Sequence, residues 1–340
     1  MTEKLNEKSL WMSGNEAIAL GAYEAGVHVA SGYPGTPSTE IMENLCGYEG
    51  VYTEWAPNEK VALEVAIGAS FAGGRALATM KHVGLNVAAD PLFTAAYTGG
   101  KGGLVVLTAD DPDMHSSQNE QDNRNYALAA KLPMLEPSDP AEAKDFLKLA
   151  FDLGETLDTP VLLRITTRIA HVKGVVEKGD KRIGPDHFEI EKHPEKFVML
   201  PAMARQRRRY VEERMKKCRQ IAEGAAYNRL EDGDRKRGFL TSGVSYLYVK
   251  EAFPEAAVLK LGMVWPLPEQ KIRDFAAMVE TLYIVEELDP FIETQVKAMG
   301  LDCIGKQLIS PIGELNTAVV RNSIDPARAK TDLFAPVQLP

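Results

Sequence analysis

From Asn15 to Thr166 helical and strand patterns alternate with only short turn signals between them. A strand joined through a helix to the next strand cannot turn straight back, so this alternation dictates an α/β fold with a largely parallel sheet. Asn15–Ala25 reads as a helix and Val27–Ala30 as a short buried strand. It leads into Gly32-Tyr33-Pro34-Gly35-Thr36-Pro37-Ser38, where Thr36 is expected to cap a helix and Pro37 to occupy its first turn, with Glu40 following. Val51–Trp55 reads as a strand and Pro57–Gly73 as a helix rich in small residues, suited to close packing. Arg75–Met80 and Gly103–Thr108 read as buried strands, Asp139–Gly154 as a helix, and Thr159–Thr166 as the last strand of the block.

After Arg168 the periodicity fails for about seventy residues, apart from a basic helix at about Ala204–Glu223. Its cations (Arg205, Arg207, Arg208, Arg209, Arg214, Lys216, Lys217, Arg219) are expected on the solvated face of an amphipathic connector. The formal net charge of −9 argues against nucleic acid as a partner. A second α/β block begins at Gly238: strands Gly238–Thr241, Ala257–Leu261 and Thr281–Glu286, and helices Val244–Ala252, Pro268–Met278 and Phe291–Met299. A length of 340 residues suits two domains. No apolar run approaches a membrane span, and the N-terminus mixes both charge signs without an apolar core, so the cytoplasm is the expected location. Cys46, Cys218 and Cys303 are too far apart for a disulfide framework, a zinc knuckle or an iron–sulfur run.

Open α/β sheets bind ligands beyond the carboxyl ends of their strands. Three loops fall there: Gly32–Ser38, the turn Lys81-His82-Val83-Gly84-Leu85-Asn86, and the polar run Asp110–Arg124. A fourth element, Trp55-Ala56-Pro57-Asn58-Glu59, puts a carboxylate in the first turn of the small-residue helix. No Walker, nucleophile-elbow, zincin or Rossmann motif occurs. Gly99–Gly103 precedes a strand and reads as a turn, and Asp232-Gly233-Asp234 reads as a turn with no metal site.

Taken in order, GNEAIALGAYEAGVHVASGYPGTPSTEI, EWAPNEKVALEVAIGASFAGGRALATMKHVGLNVAADPL and ADDPDMHSSQNEQDNR resemble the thiamine-diphosphate 2-oxoacid:ferredoxin oxidoreductases. Within them the match is to the α subunit of the indolepyruvate enzymes. TSGVSYLYVKEA, LKLGMVWPLP and IVEELDPFIETQVK are similar to that subunit's next domain, of transketolase C-terminal type. The resemblance implies a pyrimidine-binding domain over 1–185, a connector over 186–236, a transketolase C-terminal-like domain over 237–330 and a linker-like tail over 331–340. It implies that Glu59 hydrogen-bonds the aminopyrimidine of thiamine diphosphate and so activates the thiazolium carbon, which needs a carboxyl group held out of bulk water. Tyr33, Pro34, Gly35, Thr36 and Pro37 match a loop that approaches cofactor and substrate. Lys81, His82, Val83, Gly84 and Asn86 match a cofactor-facing segment.

Two departures carry expectations of their own. Pyruvate-using relatives have a bulkier aliphatic residue at Gly35 and an arginine for the substrate carboxylate near Asp110. Gly35 therefore suits an aryl side chain, and Asp110, His115, Gln118 or Arg124 is expected beside the substrate. The family's diphosphate-binding domain and cysteine-rich module are absent from this sequence. Magnesium and iron–sulfur clusters are thus expected on the assembled enzyme but not on this chain. The implied partners are a diphosphate-binding domain or subunit, a β subunit and ferredoxin, in an oligomer acting on an arylpyruvate and CoA. The alternatives are a pyruvate or 2-oxoglutarate type of α subunit, and a non-catalytic assembly module.

Overall fold

The computed structural model describes residues 8–185 and 187–327, so the tail expected at 331–340 lies outside the described residues. Its strands are β1 (Ser9–Ser13), β2 (Val29–Gly32), β3 (Tyr52–Trp55), β4 (Ala76–Lys81), β5 (Leu104–Asp110), β6 (Met134–Leu135) and β7 (Val161–Thr166). They continue with β8 (Lys173–Glu177), β9 (Arg229–Glu231), β10 (Asp234–Ser242), β11 (Ala256–Leu261), β12 (Met263–Trp265) and β13 (Leu282–Val285). The main sheet runs β12-β6-β7-β5-β4-β2-β3 and is parallel except at β12, which lies antiparallel to β6. A second sheet, β13-β10-β11-β9, is parallel apart from β9, and β1 pairs with β8 alone. The parallel α/β architecture expected from the alternation is the one the chain forms.

Every residue of β5 is buried, as a strand covered on both faces requires. Successive side chains point to opposite faces. Val105, Leu107 and Ala109 accordingly join a core with Ile18, Leu45, Leu147 and Phe151, while Leu104 and Val106 join one with Leu63, Ala66 and Met80. That second core continues into Leu240, Leu259 and Ile284 of the smaller sheet, so the two blocks share one apolar interior.

The helices begin where local chemistry satisfies their free N–H groups. Before Gly14–Glu24, the Ser13 hydroxyl accepts from Glu16 N at 3.2 Å and the Glu16 carboxylate accepts from Ser13 N at 2.6 Å, a capping box. Before Glu59–Ala72, Asn58 Oδ1 accepts from Val61 N at 3.0 Å, and the helix ends on Gly73 at φ 102°.

Three local expectations need correction. Thr36 does not cap a helix: the helix starts at Thr39, and Thr39 Oγ1 instead accepts from Gly35 N at 2.8 Å. Lys81–Asn86 is not a turn, because His82–Val87 is a short helix. The basic helix, Pro201–Gly224, is not wholly solvated, since Arg207 and Arg214 are buried. Arg207 donates to the carbonyls of Tyr97 at 2.7 Å and Thr98 at 3.3 Å. Arg214 donates to those of Lys131 at 3.3 Å and Asp158 at 3.4 Å, and Lys217 to that of Thr156 at 3.2 Å. These carbonyls terminate the helices Ala89–Thr98, Arg124–Ala130 and Pro140–Leu157. The cations therefore meet the negative ends of three helix dipoles.

Candidate functional site

Strands β2, β3 and β4 run parallel, so their carboxyl ends reach the same edge of the sheet. The short helix His82–Val87 is the hub there. A Cβ on Gly84 would stand 2.6 Å from Cγ and Oε1 of Glu59, so only a glycine lets that carboxylate come so close. A Cβ on Gly35 would meet the Lys81 side chain at 3.0–3.4 Å. Lys81 Nζ donates to the Ser116 carbonyl at 3.0 Å. The His82 ring lies 3.1 Å from the Asn119 carbonyl, and the His82 carbonyl accepts from Gln121 at 3.0 Å and Asn123 at 3.2 Å. Asn86 exchanges hydrogen bonds with Gln121 and accepts one from Tyr126.

Glu59 is 8% exposed, and among the described residues its carboxylate has no hydrogen bond and no ion pair. Its oxygens are not among the fully buried partnerless atoms, so this largely buried carboxylate is free to accept a hydrogen bond from a ligand at the open side of the edge. At the carboxyl ends of the paired strands β2 and β3, Tyr33 and Trp55 stand 42% and 45% exposed, and Pro34 is exposed while Pro37 is buried. Gly35, Thr36, Lys81 and Val83 are half-buried, His82 and Gly84 are buried, and Asn86 is exposed. His82 Nδ1 is a fully buried atom without a partner.

The polar run behaves differently at its two ends and its middle. Asp111 pins it, accepting from Ser116 N, Ser117 Oγ and Thr167 Oγ1 at 2.8, 2.6 and 2.6 Å. Burial works to raise the Asp111 carboxyl, but these hydrogen bonds outweigh it and hold it below its ordinary value. Asp113 and Met114 adopt φ values of 66° and 53°, strained for such side chains. His115 and Gln118 are exposed, with His115 3.4 Å from Glu314.

Asp110 and Arg124 are corrections, because both are buried in an ion network between the two sheets rather than open to a substrate. Arg124 holds Asp122 through both carboxylate oxygens, Glu286 at 2.6 Å, and the carbonyls of Glu287 at 2.9 Å and Asp289 at 3.2 Å. Asp110 accepts from Arg164 Nε at 2.7 Å, and Arg164 also binds Glu136, which accepts from Ser242. Burial pushes Asp110 up to about 6 despite Arg164, and pushes Glu287 up to about 7. Sequence reasoning also missed Ser116, Asn119, Gln121 and Asn123, the residues that tie the polar run to the hub helix. Their amide-rich composition was the one available signal, since it suits a network better than a freely solvated loop.

A largely parallel sheet with an apolar core on each face defines an α/β protein of the doubly wound class. Residues 20–237 match the family model of pyruvate flavodoxin/ferredoxin oxidoreductase, thiamine diphosphate-binding, and the chain belongs to that family. Residues 230–311 match an indolepyruvate oxidoreductase domain model. Indolepyruvate oxidoreductase subunit IorA of Archaeoglobus fulgidus is 50% identical over 308 residues, covering 86% of this chain and 49% of the relative. The IorA of Methanothermobacter thermautotrophicus is 46% identical over 332 residues, 93% of this chain and 54% of its own. The chain thus spans about half the length of these curated relatives. A solved 2-oxoglutarate:ferredoxin oxidoreductase from Magnetococcus marinus shares the fold at a TM-score of 0.78 and 16% identity, over 94% of this chain and 65% of that one. A split-gene transketolase does so at 0.54 and 11%, over 92% and 96%. Among the described residues no helix is long and apolar enough to cross a membrane.

Proposed function

We propose that this chain is the aminopyrimidine-binding portion of the α subunit of an indolepyruvate:ferredoxin oxidoreductase, which converts an arylpyruvate, CoA and oxidised ferredoxin into arylacetyl-CoA, carbon dioxide and reduced ferredoxin. The observation that carries this reading is Glu59: a carboxylate buried at a helix start, close against Gly84, with no protein partner. The relatives that share about half of their length with this chain are named for indolepyruvate, and this favours an aryl over a small substrate. When bound, thiamine diphosphate would supply the carbon nucleophile and the electron sink. Glu59 would accept the ring-nitrogen hydrogen bond, with Asn58 fixing the helix start and Gly84 leaving the space. The Tyr33–Pro37 loop would wall the cofactor, and the Lys81–Asn86 segment would back it. Gly35, Thr36, His115 and Gln118 would border the substrate. The division at 185, 236 and 330 belongs to the same reading, as does a soluble cytoplasmic oligomer. A partner domain or subunit supplies magnesium and the diphosphate site, and iron–sulfur clusters and a β subunit complete the route to ferredoxin.

The test is turnover of the chain assembled with its partner subunits. kcat/KM should favour indolepyruvate over pyruvate and 2-oxoglutarate. A preference for either small acid would replace this reading with the pyruvate or 2-oxoglutarate type. By itself, the chain should bind thiamine diphosphate weakly and independently of magnesium in calorimetry. Tight magnesium-dependent binding would show that the diphosphate site lies on this chain after all.

A further inference from the structure

We propose that Lys81 receives the carboxylate of the 2-oxo acid. The inference rests on the functional reading above and assigns the one contact that reading leaves open. With Asp110 and Arg124 sealed in the interior, the cations near the sheet edge are few. Lys60 is neutralised by Asp90 at 3.0 Å, while His115 and Arg168 both lie against Glu314. Lys81 differs. Among the described residues no carboxylate pairs with it, and its ammonium gives one hydrogen bond, to the Ser116 carbonyl. An ammonium carries three donors, so two remain for a ligand. A carboxylate accepting them forms the stronger, charge-assisted kind of bond.

Position and shape agree with this role. Lys81 ends β4, one turn before Gly84, which touches Glu59. Its methylenes lie along Gly35, so that the ammonium is held between the Gly32–Ser38 loop and the polar run. Gly35 thereby acquires a reason of its own. A side chain there would press on Lys81 at 3.0–3.4 Å, so Gly35 also leaves the room in which this lysine lies.

The experiment uses the assembled enzyme carrying Lys81→Met or Lys81→Arg, with two inert probes: indole-3-lactate, which keeps the carboxylate, and tryptophol, which lacks it. Lys81→Met should raise the KM for indolepyruvate and the inhibition constant of indole-3-lactate together by about 10- to 100-fold. It should leave the inhibition constant of tryptophol and the melting temperature unchanged, and Lys81→Arg should recover most of the loss. Equal losses for both probes would mean that Lys81 only braces the loops, and no loss for either would place the carboxylate elsewhere. Both results overturn the proposal while leaving the arylpyruvate reading intact. If the wild type instead turns over pyruvate and ignores indolepyruvate, the aryl reading falls, and the KM for pyruvate in the same variants still decides Lys81.

Discussion

At the scale of single residues, the site depends on one side chain, that of Glu59, lying close against a backbone position that carries none. Glu59 sits where water is largely excluded, and Gly84 is the reason it fits. Glu59→Gln should preserve the melting temperature and lower turnover of the assembled enzyme by roughly two to four orders of magnitude, the range for loss of a general acid–base group. A helix-start carboxylate serving only its dipole would instead cost at most about 1 kcal/mol of stability and leave turnover alone. Gly84→Ala makes the complementary test. Its methyl group must displace the Glu59 side chain, so turnover should fall even though the carboxylate is still present, at a stability cost of about 1–3 kcal/mol. An alanine variant with full activity would detach Gly84 from the site. Glu59 was legible in the sequence, through its place in the first turn of the small-residue helix and through the family likeness. The burial of Asp110 and Arg124 was not, because DDPDMHSSQNEQDNR has the same polarity whether a residue faces water or an opposite charge.

Elements were read most accurately where each strand is flanked by its own helix and packs locally. Predicted and observed bounds of the helices Gly14–Glu24 and Phe291–Ala298 differ by only a few residues. The Thr36 cap and the Lys81–Asn86 turn were local misreadings, whereas the other failures share dependence on a distant partner. Ser9–Ser13 becomes a strand only by pairing with Lys173–Glu177, and Met263–Trp265 only by pairing with Met134–Leu135. The basic helix failed likewise, since nothing local reveals which of its arginines faces three helix ends. Arg207→Met removes two carbonyl contacts and the 3.1 Å pair with Asp158. It should lower stability by about 2–3 kcal/mol, which is roughly 4–12 °C in a thermal melt. Arg209→Met on the exposed face should stay within about 0.5 kcal/mol. Equal melting temperatures for the two variants would refute the capping role.

Across the whole molecule, the two sheets meet through a shared core and a buried network with more carboxylates than arginines. Glu287 faces Arg164, which stabilises its charge, and Glu136 and Glu314, which oppose it, while Leu315 N donates to it at 3.3 Å. A carboxyl whose folded pKa is raised holds its proton more tightly in the folded state. Its contribution is therefore complete below the unfolded value near 4 and is lost as pH rises through the folded value. For Asp110 at about 6 and Glu287 at about 7, that window runs from mildly acidic to neutral conditions. The melting temperature should accordingly fall between pH 5 and pH 8, and Glu287→Gln should flatten much of that fall; parallel profiles for variant and wild type would remove Glu287 from the account. One further consequence follows from β12, the three-residue strand that leaves the second block to close the edge of the first sheet. It makes the two halves poor modules. A gene cut near residue 237 would strip β6 of one of its two neighbours and uncover an adhesive margin, so a working split has to carry the Met263–Trp265 segment along with the half it completes.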